Sequence, residues 1–354
     1  YDALINWDLT SADKPSVLIP GLATEWGVDP DDQTKWTFTL REGVTFHDGS
    51  PFNAEAVVWN FDKLLVEDSE QYDPRQSAQG KSRIPAVASY SVVDEYTVEI
   101  ITKTPDATLP YQLAWILMSS KANFEALDKS WEQVAMTPAG TGPWKLDSFV
   151  PRERAVLVPN EGYWDDSRIP QLDEMVLIPL PEPNARSAAL LSGQVDWIEA
   201  PAPDTIPAMT GNGFVISSNA YPHNWTWHLS RTEDSPWNDI RVRKAANLAI
   251  DRESMGALLG GLMVPAEGFL PPSSQWFGEP EFEVTYDPEG AMALLAEAGF
   301  GPDNPLEVKA MISPSGSGQM LPLPMNEYVQ QSLAEVGIDV EFEVVEWNQM
   351  INVW

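Results

Sequence analysis

Trp36, Phe38 and Leu40 alternate with Thr37 and Thr39, so one set of side chains can enter a core while the other meets water, the period of a half-buried strand. Turn formers follow in His47-Asp48-Gly49-Ser50-Pro51. Asn53 then stands where a helix cap belongs. Val57, Val58, Phe61, Leu64 and Leu65 behind it recur at helical spacing and predict one apolar stripe facing a core. The polar run 67–85 predicts no regular structure. A strand is expected over 96–102, mixed helix over 109–134, and a boundary where Pro138, Gly140 and Gly142 interrupt the pattern.

Beyond that boundary the pattern predicts strands over 155–158 and 175–178, then a short helix capped by Asn184 and closed by Gly193. Asp196-Trp197-Ile198 reads as the start of another strand, and 221–229 as a strand-like segment leading through Ser235-Pro236 to Asp239. Asp239 is placed to cap a helix over 240–250. The last third is an α/β stretch. Asp287 caps a helix with Pro288 at its first position, and Ala291, Leu294, Leu295 and Ala298 form its stripe before Gly299. A strand over 308–312 and a helix over 326–336 closed by Gly337 come next. Ile338, Val340, Phe342 and Val344 then alternate with Asp339, Glu341 and Glu343 as a strand with one wet face. No internal repeat is present, and the one low-complexity stretch is the loop 313–318.

The 354 residues exceed one ordinary core and imply two or three domains. Fifty-three acidic residues against 21 basic ones leave a net charge of -32, which excludes nucleic acid as a partner and suits a solvated surface in a salty habitat. No apolar run approaches the roughly 18 residues that span a bilayer. The absence of cysteine removes disulfides, thiolate nucleophiles and cysteine-held metals. The first residues, Tyr1 to Trp7, lack the features of a secretion signal, so any such signal lies outside this chain.

Catalytic chemistry finds little support. There is no phosphate-binding loop and no His-Glu-x-x-His pair, and His47, His223 and His228 are too scattered for a metal cluster. Ser315-Gly316-Ser317-Gly318 lacks the first glycine of a hydrolase nucleophile turn. Carboxylate pairs suited to a glycosidase occur by chance in so acidic a chain. Asn224-Trp225-Thr226 matches a glycosylation acceptor and reads as ordinary strand sequence. The expectation is a protein that is not an enzyme and carries no cofactor or metal, with a carboxylate-dependent hydrolase as the alternative.

Several separated segments resemble the family 5 extracellular solute-binding proteins, which include oligopeptide, dipeptide and nickel binding proteins of bacterial ABC importers. The strongest runs from Trp36 through Arg41-Glu42-Gly43 and His47-Asp48-Gly49 to Phe52, preceded by Pro20-Gly21-Leu22-Ala23-Thr24-Glu25-Trp26. Gly140-Thr141-Gly142-Pro143-Trp144, Asn160-Glu161-Gly162-Tyr163-Trp164 and Leu190 to Asp196 follow in order. Arg241-Val242-Arg243-Lys244-Ala245 through Arg252, and Tyr286-Asp287-Pro288 through Phe300, complete the series. Turn glycines, prolines and caps serve a fold first, so these motifs are expected to be scaffold.

The resemblance implies an α/β, two-lobed periplasmic-binding-protein fold of class II type with an extra subdomain in the first lobe. It divides the chain into 1–137 (outer subdomain of the first lobe), 138–224 (its central part) and 225–354 (an incomplete second lobe). It further implies an interior portion of a longer protein, a monomer in a periplasmic or extracytoplasmic location, with membrane anchorage possible through a segment ahead of Tyr1. Its partners would be a small-molecule or peptide ligand and the permease subunits of an ABC transporter, or a sensor in their place. The ligand would be a short peptide or peptide-like solute, with an oligosaccharide as the alternative.

A pocket between lobes, lined by aromatic faces and a few polar groups, is the expected site. The segment 221–230 resembles the strand that crosses between lobes, with Ser230 where the family often has asparagine. Alternation puts Trp225 and Trp227 on one face, favoured as packing residues, and Asn224, Thr226 and His228 on the other, toward the ligand. Trp115 and the loop 316–320, with Gln319, are placed near the cleft by resemblance alone.

Overall fold

A computed structural model of the chain describes residues 1–11, 17–218, 224–272, 274, 276–314, 321–347 and 349–350. They group into two compact units, one made of 1–11 with 17–179 and the other beginning at Leu180.

In the first unit β1 (Ile5–Trp7) pairs antiparallel with β2 (Leu18–Pro20). β3 (Ala23–Val28) and β4 (Lys35–Leu40) are followed by α1 (Ala54–Leu65), α2 (Pro74–Arg83), β5 (Val87–Asp94) and β6 (Thr97–Thr102). The four strands form an antiparallel sheet in the order β3-β4-β6-β5. Trp36, Phe38 and Leu40 of β4 are buried while Thr37 and Thr39 face solvent, as the alternation requires. Asn53 accepts the Ala56 N–H and caps α1, which lays Val57, Phe61 and Leu64 on the sheet beside Phe38, Val98 and Ile100.

α2 occupies the middle of a stretch whose polarity predicted no structure. Only Ser77 and Gly80 of this helix are buried, so no apolar stripe marks it. What makes it a helix is its start: the Asp73 carboxylate accepts the Arg75 N–H, and Pro74 fills a first-turn position that needs no donor. Gly80 lets it approach α1 closely, since a Cβ there would lie 3.0 Å from a Leu64 methyl.

α3 (Leu109–Leu113), α4 (Lys121–Ala126) and α5 (Trp131–Met136) resolve the mixed-helix region. Trp59 of α1, Phe124 and Val134 form a second small core with Trp131. β7 (Trp144–Val150), β8 (Arg154–Pro159) and β9 (Met175–Leu177) close the unit as an antiparallel three-stranded sheet.

The second unit contains α6 (Pro183–Leu191), α7 (Ile206–Gly211), α8 (Ile240–Leu248), α9 (Arg252–Leu258), α10 (Pro288–Glu297), β10 (Leu306–Ile312), α11 (Pro322–Val336) and β11 (Ile338–Val344). β10 and β11 pair in parallel and are joined through α11. Their core combines Val242, Ala245, Leu295, Val329, Leu333 and Ile338. Asp239, Asp251 and Asp287 each accept a backbone N–H at the start of α8, α9 and α10. Gly337 ends α11 with φ of +100°, in a place where a Cβ would fall 2.5 Å from the Gly301 carbonyl carbon.

Three local expectations are corrected. Asn184 lies inside the first turn of α6, whose cap position is Glu182 and whose first residue is Pro183; the proline sets the helical φ and moves the start upstream of the asparagine. Asp196-Trp197-Ile198 forms no strand, and Trp197 is 74% exposed, with neither a pairing partner nor a core beneath it among the described residues. Residues 224–230 belong to no sheet, although their side chains alternate between half-buried and exposed from Trp225 onward. Burial on one side produces that alternation even without a neighbouring strand.

Candidate functional site

The segments that carry the family resemblance in the first unit meet in one hydrogen-bonded cluster. His47 donates its backbone N–H to the Gly140 carbonyl at 2.8 Å, while its ring spans the next turn. Nδ1 accepts from the Gly140 N–H at 3.4 Å and Nε2 lies 2.9 Å from the Gly142 carbonyl, the pattern of a neutral imidazole protonated at Nε2. Burial lowers its pKa and favours that neutral form, against the opposing pull of the Gly142 carbonyl.

Beside it, the Asp48 carboxylate receives the Ser50 N–H and hydroxyl and, at 2.5 Å, the Ser120 hydroxyl. Burial alone would raise its pKa, but the hydrogen bonds from Ser120 and Ser50 outweigh burial and hold the carboxyl below its ordinary range. Ser120 caps α4 in turn, so the turn at 47–50 is tied to a helix start far along the chain.

Asp2, 5% exposed, accepts from Thr141 Oγ1 at 3.1 Å, Tyr163 OH at 3.1 Å and Trp164 Nε1 at 3.0 Å. Burial, then the Asp2 charge, raise the Tyr163 pKa, so the phenol stays a donor. Asn160 donates to the Gly142 carbonyl, and Arg41 stacks its guanidinium 4.2 Å from the Trp164 ring centre. The Asp2 and Asp48 carboxylates and both ring nitrogens of His47 are answered by other parts of the fold. The chemistry of this cluster is structural, and it offers no poised nucleophile or base.

The candidate ligand residues are distributed differently. Trp225 and Trp227 are half-buried against the second unit's core. Trp227 donates its indole N–H to Asn326 Oδ1 at 2.9 Å and meets Phe342 edge-on at 6.0 Å. Thr226 and His228 are exposed on the opposite side. Asn224 donates its amide to the Gly268 carbonyl, which leaves its side-chain oxygen as the remaining acceptor. Trp115, just past α3 in the first unit, is 55% exposed with the Arg83 guanidinium 4.5 Å from its ring centre. Arg83 was missed by sequence reasoning, because no local pattern links the last residue of a polar helix to an indole so far along the chain. Gln319 and the rest of 316–320 lie outside the described residues, as do Tyr221, Pro222 and His223. Among the described residues no group of three or more acidic or histidine side chains is arranged to hold a metal ion.

The model for bacterial extracellular solute-binding proteins, family 5 Middle, matches residues 17–354. The chain belongs to that family. Among curated family 5 relatives it is 28% identical over 371 positions to the dipeptide-binding protein of Escherichia coli strain K12, covering 99% of this chain and 67% of that one. It is 29% identical over 345 positions to the glutathione-binding protein GsiB of Escherichia coli O157:H7, covering 96% of this chain and 64% of the relative. It therefore spans about two thirds of the length of these relatives.

Among solved structures, the periplasmic binding protein DppA from Helicobacter pylori, in complex with the peptide STSA, superposes with a TM-score of 0.79 at 24% identity. That match covers 99% of this chain and 69% of the other, and it bears on the fold. Mixed α/β architecture and periplasmic-binding-protein likeness thus agree with what the motifs implied. The matched family and relatives are named for binding, of extracellular solutes, dipeptide and glutathione, and none of these names is that of an enzyme. No described helix is long and apolar enough to cross a membrane.

Proposed function

We propose that this chain is the capturing part of the extracytoplasmic solute-binding component of an ABC uptake transporter, taking a short peptide or peptide-like solute and passing it to the membrane permease subunits. The observation that carries this reading is the match over nearly the whole chain to relatives named for dipeptide and glutathione binding, both short peptides. On this reading 1–137 and 138–224 are the outer and central parts of a first lobe, and 225–354 belongs to a second. The protein acts as a monomer outside the cytoplasmic membrane, and binding involves no bond making or breaking.

The contacts we assign to the ligand are Thr226 and His228 on the exposed face, Asn224 through its side-chain oxygen, and Trp115, with Trp225 and Trp227 supporting them from the core side. Gln319 is retained as a further contact on the strength of the resemblance. Hydroxyl, imidazole and amide groups can bond to the backbone amides of an extended peptide. The same groups suit sugar hydroxyls, and exposed indoles such as Trp115 favour stacking on a sugar ring, so an oligosaccharide is the second reading.

Calorimetry of the full-length protein against di- to pentapeptides, their N-acetylated forms and a panel of oligosaccharides separates the two. Peptide binding without turnover is expected, weakened by about 1.5–3 kcal/mol when the amino terminus is acetylated, because a charge-assisted hydrogen bond is lost. Tight binding of sugars with none of any peptide would overturn the proposal.

A further inference from the structure

Glycines with positive φ close turns and helix ends along this chain, and the side chain that precedes such a glycine decides what the backbone can do to itself. Two of them follow a side chain whose carbonyl carbon the glycine nitrogen can reach to close a small ring. They are Asp48-Gly49 and Asn212-Gly213, the chain's only Asp-Gly and Asn-Gly pairs. The fold treats them differently.

The first pair is locked. The Asp48 carboxylate takes the Ser50 N–H at 2.9 Å, the Ser50 hydroxyl at 2.6 Å and the Ser120 hydroxyl at 2.5 Å, while the Gly49 N–H is held by the Phe46 carbonyl at 2.9 Å. An ionised carboxylate in that position offers no leaving group.

Asn212 is the exposed C-terminal cap of α7, and its amide does carry a leaving group. Gly213 follows with φ of +86°. Its N–H meets the Thr210 carbonyl at 3.0 Å and the Phe214 N–H meets that of Met209 at 3.1 Å, the two bonds that end a helix on a left-handed residue. The helix end therefore demands a glycine at the one place where a missing Cβ leaves the nitrogen free to attack Asn212. Asn212 Nδ2 is restrained by the Ala208 carbonyl at 2.8 Å, on the surface of a six-residue helix whose one buried side chain is Met209. Ends of short helices open readily. A Cβ added at Gly213 would meet no described atom within 4 Å, so ring closure has room.

We propose that Asn212-Gly213 is a self-modification site that converts asparagine to aspartate and isoaspartate. When the helix end opens, the Gly213 nitrogen loses its proton to a base and bonds to Asn212 Cγ. The Cγ–Nδ2 bond breaks, and ammonia leaves with the proton that the base returns. Water then opens the cyclic imide, at Cγ to give aspartate or at the main-chain carbonyl to give isoaspartate. One water is consumed, one ammonia is released, and the new carboxyl ionises to add one negative charge. A carboxylate cannot donate to the Ala208 carbonyl and is repelled by the carbonyls at a helix C-terminus, so the change loosens the end of α7 permanently.

The test incubates full-length wild type and N212Q in mildly alkaline buffer, with and without urea, and locates isoaspartate and the amide-to-acid mass gain by peptide mass spectrometry. Native wild type should convert at Asn212 about 10- to 100-fold more slowly than in urea, because only the opened fraction reacts. Asp48 should yield isoaspartate only in urea, and N212Q should give no product at 212, since the longer side chain closes a larger ring. N212D, which carries the aspartate product, should lose hydrogen-exchange protection at the Gly213 and Phe214 amides. No product at Asn212 in the native protein once the urea sample has converted fully would overturn the site. So would native isoaspartate at Asp48 forming as fast as at Asn212. Protection in N212D equal to wild type would overturn the loosening of α7.

Discussion

Lys63 offers the sharpest test of how the first unit is held together. It projects from α1 into the interior and is 1% exposed. Its ammonium donates to Ser119 Oγ at 3.1 Å and sits 5.5 Å from the Trp131 ring centre. Burial lowers its pKa from 10.5 to about 8, only partly opposed by the attraction of Asp73. Below about 8 both the folded and unfolded states carry the charge, and the folded state bears the whole penalty of burying it. A gap from 10.5 to about 8 corresponds to about 3 kcal/mol. Between those values the unfolded chain binds the extra proton, so this penalty fades as pH rises and is gone above 10.5.

Lys63→Met keeps the apolar stem and removes the charge. It gives up the Ser119 hydrogen bond, worth about 1 kcal/mol, so a net gain of about 1–2 kcal/mol is expected at pH 7. Urea unfolding read by hydrogen exchange of the α1 amides, for wild type and K63M between pH 7 and 10.5, measures it. Using the difference between the two proteins cancels the effects of other groups that titrate in the same range. The advantage of K63M should shrink through this window and turn into a small loss at its upper end. A constant difference, or destabilisation already at pH 7, would refute the reasoning.

Two further outcomes follow from the charge and backbone geometry. With a net charge of -32 and with Lys121–Glu125 and Lys309–Glu341 typical of its exposed ion pairs, raising KCl from about 0.1 M to 1 M shortens the screening length from about 10 Å to 3 Å and relieves more repulsion than attraction. Thermal denaturation should show Tm rising by about 5 °C, equivalent to about 1–2 kcal/mol, and a falling Tm would count against it. Gly337→Ala combines φ of +100° with a Cβ 2.5 Å from the Gly301 carbonyl carbon. It should destabilise the second unit by at least about 3 kcal/mol, seen as lost hydrogen-exchange protection in β10 and β11, and unchanged protection would refute it.

What the sequence determined by itself were features written in neighbouring residues. The alternation of β4, that of β11 as far as Phe342 (Val344 at its end is exposed), the stripe of α1 and the caps at Asn53, Asp239 and Asp287 appear where local spacing put them, because each depends on contacts within a few residues. The ordered motifs did the same for family and fold. Tertiary structure decided what distant residues do together. α2 was overlooked because it has almost no buried face: the Asp73 cap and Pro74 mark its start, but no apolar stripe follows them, and its packing on Leu64 through Gly80 is a tertiary contact. Trp197 and the segment 224–230 read as strands, yet a strand needs a hydrogen-bonding neighbour, which no local pattern supplies. The same limit governs the candidate site. Composition could count Asp2, Lys63 and Arg83 as charges, but it could not show that the first is enclosed by three donors, the second is sealed in a core and the third lies against an indole. Those differences arise from desolvation and the geometry of partners brought together by folding, and they decide how each charge is accommodated.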